Sequence, residues 1–247
     1  MKRAIIAGES WMKHTTHIKG FDIFTTCEYE EGVEWIRNAL VAGGWDVVHI
    51  PAHKVCEVFP SSVEELVSYD VVILSDIGSN SLLLSSATFN RSKIVPDRCE
   101  VLKEYVLLGG GLIMIGGYMS FSGIDAKARY GVTPLADVLP VKMLDVDDRI
   151  EKPNGIQPKV LNSAHPVMAE LGDWPRFLGY NRTIEIPEGQ VLAKLGEDPF
   201  IAVRDSGKGR TAVFTSDCAP HWGPPEFINW INYGLFWNRL LNWVARN

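Results

Sequence analysis

The chain lacks the features that suit nucleic acid, a membrane or an oxidising compartment. Its 247 residues contain no run of lysine or arginine, and acids outnumber bases 30 to 24, for a net charge of −6. Phosphate backbones are gripped by concentrated basic faces, so no nucleic-acid partner is expected. No stretch has the unbroken apolar length that crosses a bilayer. The apolar run behind Met1-Lys2-Arg3 ends at Gly8-Glu9-Ser10, too soon for a signal segment. No membrane is expected, and a cytoplasmic location is. The four cysteines, Cys27, Cys56, Cys99 and Cys218, are far apart and form no CxxC pair, which disfavours structural zinc and a disulfide framework. Repeats, low-complexity segments and linkers are also missing, so residues 1–247 read as one domain. An apolar fraction of 46% is enough for that domain to have a full core.

Short apolar runs alternate with helix-like segments. Ala4 to Ala7 suits a buried strand. A long polar loop is expected from Gly8 to about Tyr29, then a helix from about Glu30 to Ala42 with Val33, Ile36 and Leu40 on one face and Gly43-Gly44 as its stop. Trp45 to Ile50 is a second strand. Ser61 or Ser62 caps a short helix, with Glu64 or Glu65 in capping-box position. Asp70 to Asp76 is a third strand. Pro96 to Leu108 is a helix whose face includes Val101, Tyr105 and Leu108, and Leu112 to Ile115 is a fourth strand.

This alternation predicts an α/β fold: a flavodoxin-like, doubly wound, mainly parallel sheet with helices on both faces. The segment from about Arg149 to Leu195 changes character and is expected to add antiparallel structure at one sheet edge. Phe200 to Val203 and Thr211 to Thr215 are late strands. A last helix starts at Pro225 and carries Phe227, Trp230, Ile231, Trp237 and Leu241, a stripe better explained as core than as ligand surface.

Ligands of open parallel sheets sit beyond the carboxyl ends of the strands. That rule gathers Glu9, Ser10 and Trp11, Asp76, Gly116, Gly117 and Tyr118, and Asp217, Cys218 and His221 at one cleft. His221 suits acid/base work or binding of ligand hydroxyls, and Tyr118 suits orientation of the ligand. Asp76, Ser10 and Asp217 are candidate ligand contacts. Gly116-Gly117 is either a tight turn that needs glycine or a nest of amides for an oxyanion or carboxylate. Cys218 is either an inert buried thiol or a nucleophile. His14 and His17, with Asp22 nearby, either bind a metal or belong to a loop that covers substrate; no metal site is assigned. No phosphate or dinucleotide motif follows a strand, so no cofactor is expected.

Three segments carry a family resemblance: Gly109 through Phe121, Gly123-Ile-Asp-Ala-Lys-Ala-Arg-Tyr130 with Thr133-Pro134 and Val138 to Val141, and Thr215 through Gly223. They resemble the class I glutamine amidotransferase-like superfamily, in the branch related to the ThuA-like proteins, over essentially the whole chain. Active members of the superfamily place a cysteine at the strand-to-helix elbow and a late histidine with a glutamate two residues on. Here the elbow is Gly117 or Tyr118, the histidine matches His221, and the position two residues on is Gly223, with Glu226 the nearest acid. The resemblance implies the fold but not glutaminase chemistry, which needs the thiolate. Its ThuA-like branch implies a carbohydrate-like ligand by analogy. The expected partner is thus a small polar molecule, bound or transformed without glutamine hydrolysis. The alternative is a non-catalytic oligomerisation or interaction module, and self-association as a homo-oligomer is a partner state the eight tryptophans would allow.

Overall fold

The computed structural model describes residues 2–246. The chain begins with β1 (Arg3–Gly8), followed by β2 (Ser10–Lys19) and β3 (Asp22–Glu31), then α1 (Glu34–Ala42) and β4 (Asp46–Ile50). Next come α2 (Ala52–Val58), α3 (Val63–Leu66), β5 (Val71–Ser75), α4 (Asn80–Leu83), α5 (Ser86–Arg91), α6 (Arg98–Leu108) and β6 (Gly111–Ile115). The second half contains β7 (Val141–Met143), β8 (Arg149–Ile156), β9 (Pro158–Val160), β10 (Phe177–Asn181), β11 (Thr183–Glu185), β12 (Gln190–Leu195), β13 (Asp198–Ser206) and β14 (Gly209–Phe214). It ends with α7 (Pro225–Ile228) and α8 (Tyr233–Val244).

Eight strands form one sheet in the order β4-β1-β5-β6-β14-β13-β12-β9. The first five are mutually parallel, and the last three continue antiparallel. Side chains alternate across this sheet, so each strand feeds two cores. Ala4, Ile6, Val71, Ile73, Ile113 and Ile115 pack on the side of α1 and α8. Ile5, Ala7, Val72, Leu74, Leu112 and Met114 pack on the side of α2, α3 and α6. A strand buried on both faces has to be apolar at every position, which is why these runs stood out in the sequence. The fold is the expected α/β sheet with helices on both faces.

Several boundaries differ from the expectation. Gly8 to Tyr29 is not a loop: β2 and β3 pair antiparallel from Ser10↔Glu31 to Lys19↔Asp22, with Gly20 at φ +63° in the turn. The hairpin takes Glu30 and Glu31, so α1 starts later. Helix α6 is capped by Asp97, whose side chain accepts from the Cys99 and Glu100 amides, and it buries Cys99, Leu102, Tyr105 and Val106 while Leu108 is exposed. In the short helix Ser62 is the cap, accepting from Glu65 N, whereas the Glu65 carboxylate reaches Ser61 N. Only β9 and β12 of the 149–195 segment join the sheet edge; β8 with β10 and β7 with β11 form separate ribbons. The last helix is two helices, broken over 229–232, and Ile231 is exposed where a single helix would have buried it.

Candidate functional site

The parallel strands end on one edge of the sheet, and the chain leaves three of them in strained or glycine-dependent backbone. Glu9 after β1 and Asp76 after β5 have φ of +48° and +43°, a region side-chain-bearing residues rarely occupy. Gly117 after β6 has φ +148°. A Cβ at Gly117 would lie 2.6 Å from Asp76 Oδ1, so the elbow is filled by the Asp76 carboxylate and has no room for a cysteine side chain. Asp76 is fixed there because its Oδ1 accepts from Met119 N at 2.7 Å, while its own N–H donates to Ser120 Oγ at 3.1 Å. Strain of this kind, held by surrounding bonds, clusters at functional sites.

Around these turns lies a cleft of about 250 Å³ lined by Glu9, Trp11, Asp76, Tyr118, Asp217, Pro220 and His221. Tyr118 and His221 meet edge to face with ring centroids 4.5 Å apart, and His221 stacks on Trp222 at 5.3 Å. His221 Nδ1 is 3.3 Å from Asp217 Oδ2, whose other oxygen accepts from Ala219 N. That bond, with the charges of Asp217, Asp76 and Glu151, raises the His221 pKa against a smaller effect of burial. With Nδ1 engaged, Nε2 is the nitrogen left to exchange a proton with a ligand.

Two of the carboxylates, Glu9 and Asp76, are held against their own charge. Burial, then the neighbouring charges of Asp217 and Asp76, push Glu9 well above its ordinary value. Burial and Asp217 push Asp76 up to about 6. Glu9 Oε2 accepts from Ser75 Oγ and from the Cys218 thiol, 3.6 Å away. Cys218 is fully buried, and burial beside Glu9 raises its pKa well above that of a free thiol. Its burial favours the first of its two alternatives, an inert thiol, since a nucleophile needs an accessible thiolate. Glu9, Asp217 and Cys218 are the one trio among the described residues whose ligand atoms all lie within 4.8 Å of one another. Within the trio the Cys218 thiol donates to Glu9 Oε2, which also accepts from Ser75 Oγ.

Two expectations at this edge are corrected. The Gly116 and Gly117 amides do not form a free nest: Gly116 N donates to Phe214 O at 2.8 Å and Gly117 N to Asn181 Oδ1 at 2.9 Å. Ser10 turns away from the cleft, and its hydroxyl accepts from Ala52 N at the start of α2. Its neighbours Glu9 and Trp11 take the lining positions, because the positive φ of Glu9 reverses which side chains face the site. His14 and His17 alternate along β2 and lie on opposite faces of the hairpin, so they cannot share a metal.

Three residues of the second half support the site without any signal in the sequence. Asn181, fully buried on β10, bonds both Gly117 N and Gly117 O and also reaches Asp148 Oδ1. Asp148 accepts from the amides of Ser122 and Gly123 and so fixes the loop after the elbow. Glu151 on β8 accepts from Tyr118 OH and Trp222 Nε1, both at 3.0 Å, and sets the aromatic wall of the cleft. All three are isolated polar residues far from the elbow in sequence, with no local pattern to mark them. A larger hollow, about 520 Å³, lies elsewhere, beside Arg129, Lys142 and Asp145, none of which is buried.

The sequence profile of the family described as "Putative glutamine amidotransferase" matches residues 3–246. Two solved structures of cytoplasmic proteins from Salmonella typhimurium resemble the chain at TM-score 0.95. One is 47% identical, with 98% of each chain covered. The other, from strain LT2, is 45% identical, covering 98% of this chain and 99% of its own. A ThuA-like protein from Parabacteroides merdae, 11% identical with TM-score 0.58 over 99% of this chain and 89% of its own, shares the fold. No curated protein matches.

Proposed function

The chain belongs to the glutamine amidotransferase-like family, and we propose that it binds or transforms a small, neutral, hydroxyl-rich ligand, carbohydrate-like in chemistry, without hydrolysing glutamine. The observation that carries this reading is the composition of the cleft: Asp76, Asp217 and Glu9 face Trp11, Tyr118 and His221, and the elbow thiol is missing. Carboxylates accept hydrogen bonds from hydroxyls, and aromatic rings cover the apolar C–H faces of a sugar. The same carboxylates repel an anionic ligand. Arg149, whose guanidinium stacks over Tyr118, is occupied by its bridge to Asp147.

In this reading His221, held by Asp217, takes or gives a proton at a ligand hydroxyl through Nε2. Tyr118, fixed by Glu151, orients the ligand against it. Asp76, with a pKa near the working range, accepts or donates a second hydrogen bond. The two Salmonella relatives described as cytoplasmic support a cytoplasmic site of action. Thermal-shift screening with neutral sugars, sugar acids and amino acids tests the ligand class: neutral polyhydroxy compounds should raise Tm, and this gain should vanish in His221→Ala. Stabilisation by sugar acids alone would contradict it. Ammonia release from glutamine above background, lost in Cys218→Ala, would restore the glutaminase and make Cys218 its nucleophile. A non-catalytic assembly module on the same fold is the second reading, favoured by the exposed apolar hairpin; it predicts no stabilising small molecule.

A further inference from the structure

The β2–β3 hairpin stands away from the body. At its root it meets the rest of the chain through a hydrogen bond from Ala52 N to Ser10 Oγ, a ring contact of Tyr29 with His53, and the approach of Glu31 to His49 at 3.9 Å. Farther out, its contacts run between its own two strands. A two-stranded ribbon without a third strand or a packed helix is marginal in water, so this one is built to be covered.

Its register separates the side chains by face. One face carries Lys13, Lys19, Asp22, Glu28 and Glu30, charges of both signs that pair with each other, as Lys13 does with Glu30. From Met12 outward the other face has no Asp, Glu, Lys or Arg: it presents the pairs Met12/Tyr29, His14/Cys27, Thr16/Thr25 and Ile18/Ile23. Ile18 and Ile23 are 70% and 66% exposed, and Phe21 at the tip is fully exposed. Taking side-chain areas of about 150–250 Å², Met12, Ile18, Phe21, Ile23 and Tyr29 leave roughly 600 Å² in water, most of the ~800 Å² each partner buries in a standard interface. That is at the top of the range for the largest apolar patch of a typical monomer, a patch that is often functional.

We infer that this hairpin is a self-association arm, through which two copies of the chain dock by their uncharged faces. A second copy fits for two reasons. The face lacks charges, so setting it against itself brings no like charges together. A two-fold contact also covers both arms at once, and the area on offer is about that of a stable dimer interface. The inference stands apart from the ligand proposed for the cleft.

Sedimentation velocity over a range of concentrations tests it. The wild-type chain should sediment as a dimer or larger even-numbered assembly. Ile18→Asp and Ile23→Asp should each return it to monomer with the far-UV circular dichroism unchanged, because each sets like charges opposite one another at the contact. A short bis-maleimide should cross-link wild-type chains through Cys27, which lies mid-face, and should fail with Cys27→Ser. If the Asp variants do not fold, this cross-link in the wild-type chain decides, and its absence overturns the inference. A wild-type chain monomeric at every concentration also overturns it and leaves the arm to a different protein. A dimer that survives both Asp substitutions does so too, by placing the contact elsewhere.

Discussion

Phe214 and Asp217 are close neighbours in the chain, yet their surroundings are opposite. Phe214 ends β14 inside a cluster of rings, with Phe177, Phe200, Phe227, Phe236 and Trp237 all within 4.7–5.8 Å centroid to centroid. Asp217, just past the strand end, is buried beside Glu9, Asp76 and His221. The first region gains from dispersion and from withdrawing apolar area from water. The second holds carboxyls where burial and mutual repulsion oppose their charge. The rings supply stability, and the strand ends hold groups the fold alone would not choose. That contrast is the physical reason to treat the strand ends as a site.

The largest effect should come from breaking the first region. Phe214→Ala removes a fully buried ring from the middle of the cluster and should lower unfolding stability by about 3–5 kcal/mol, read by equilibrium denaturation. Asp76→Asn should act in the opposite direction. The folded-state value of about 6 lies above the ordinary 3.8, so the folded chain binds the extra proton. With respect to this group, stability is highest below 3.8 and falls as pH rises to about 6. At neutral pH Asn should recover part of a loss that is at most roughly 3 kcal/mol, and the variant's stability should vary less over that pH window. Gly117→Ala should destabilise by about 1–3 kcal/mol, because it puts a side chain at positive φ against Asp76. If it proves neutral, the elbow does have room for a nucleophile. His221→Ala should change stability least, by less than roughly 1 kcal/mol for a half-exposed side chain. Its pKa is raised in the folded state, so the small stabilisation it does provide is complete below the unfolded value and fades as pH rises through the folded one.

The same contrast explains what the sequence could reveal. Strands buried on both faces leave a local signature: Val71 to Leu74 and Leu112 to Ile115 are apolar throughout because two cores claim alternate residues. The convergence of Tyr118 and His221 followed from topology alone, since both sit at strand ends. Features set by single torsions or distant partners were not legible. The positive φ of Glu9 put Glu9 in the cleft and turned Ser10 to Ala52. Asn181 reaches Gly117 across 64 positions of chain. The hairpin reads as a loop because polar residues appear on both faces, although Thr, Ile and Phe near Gly20 are strand and turn residues.

The central claim is that burial and neighbouring charge raise the pKa of Glu9 and Asp76 at the strand ends. A side-chain carbon NMR titration of Asp76 measures this most directly. The midpoint should lie near 6 in the wild-type chain and move down in Asp217→Asn, where the neighbouring charge is removed. A midpoint near 3.8, or one that Asp217→Asn does not move, would contradict the claim.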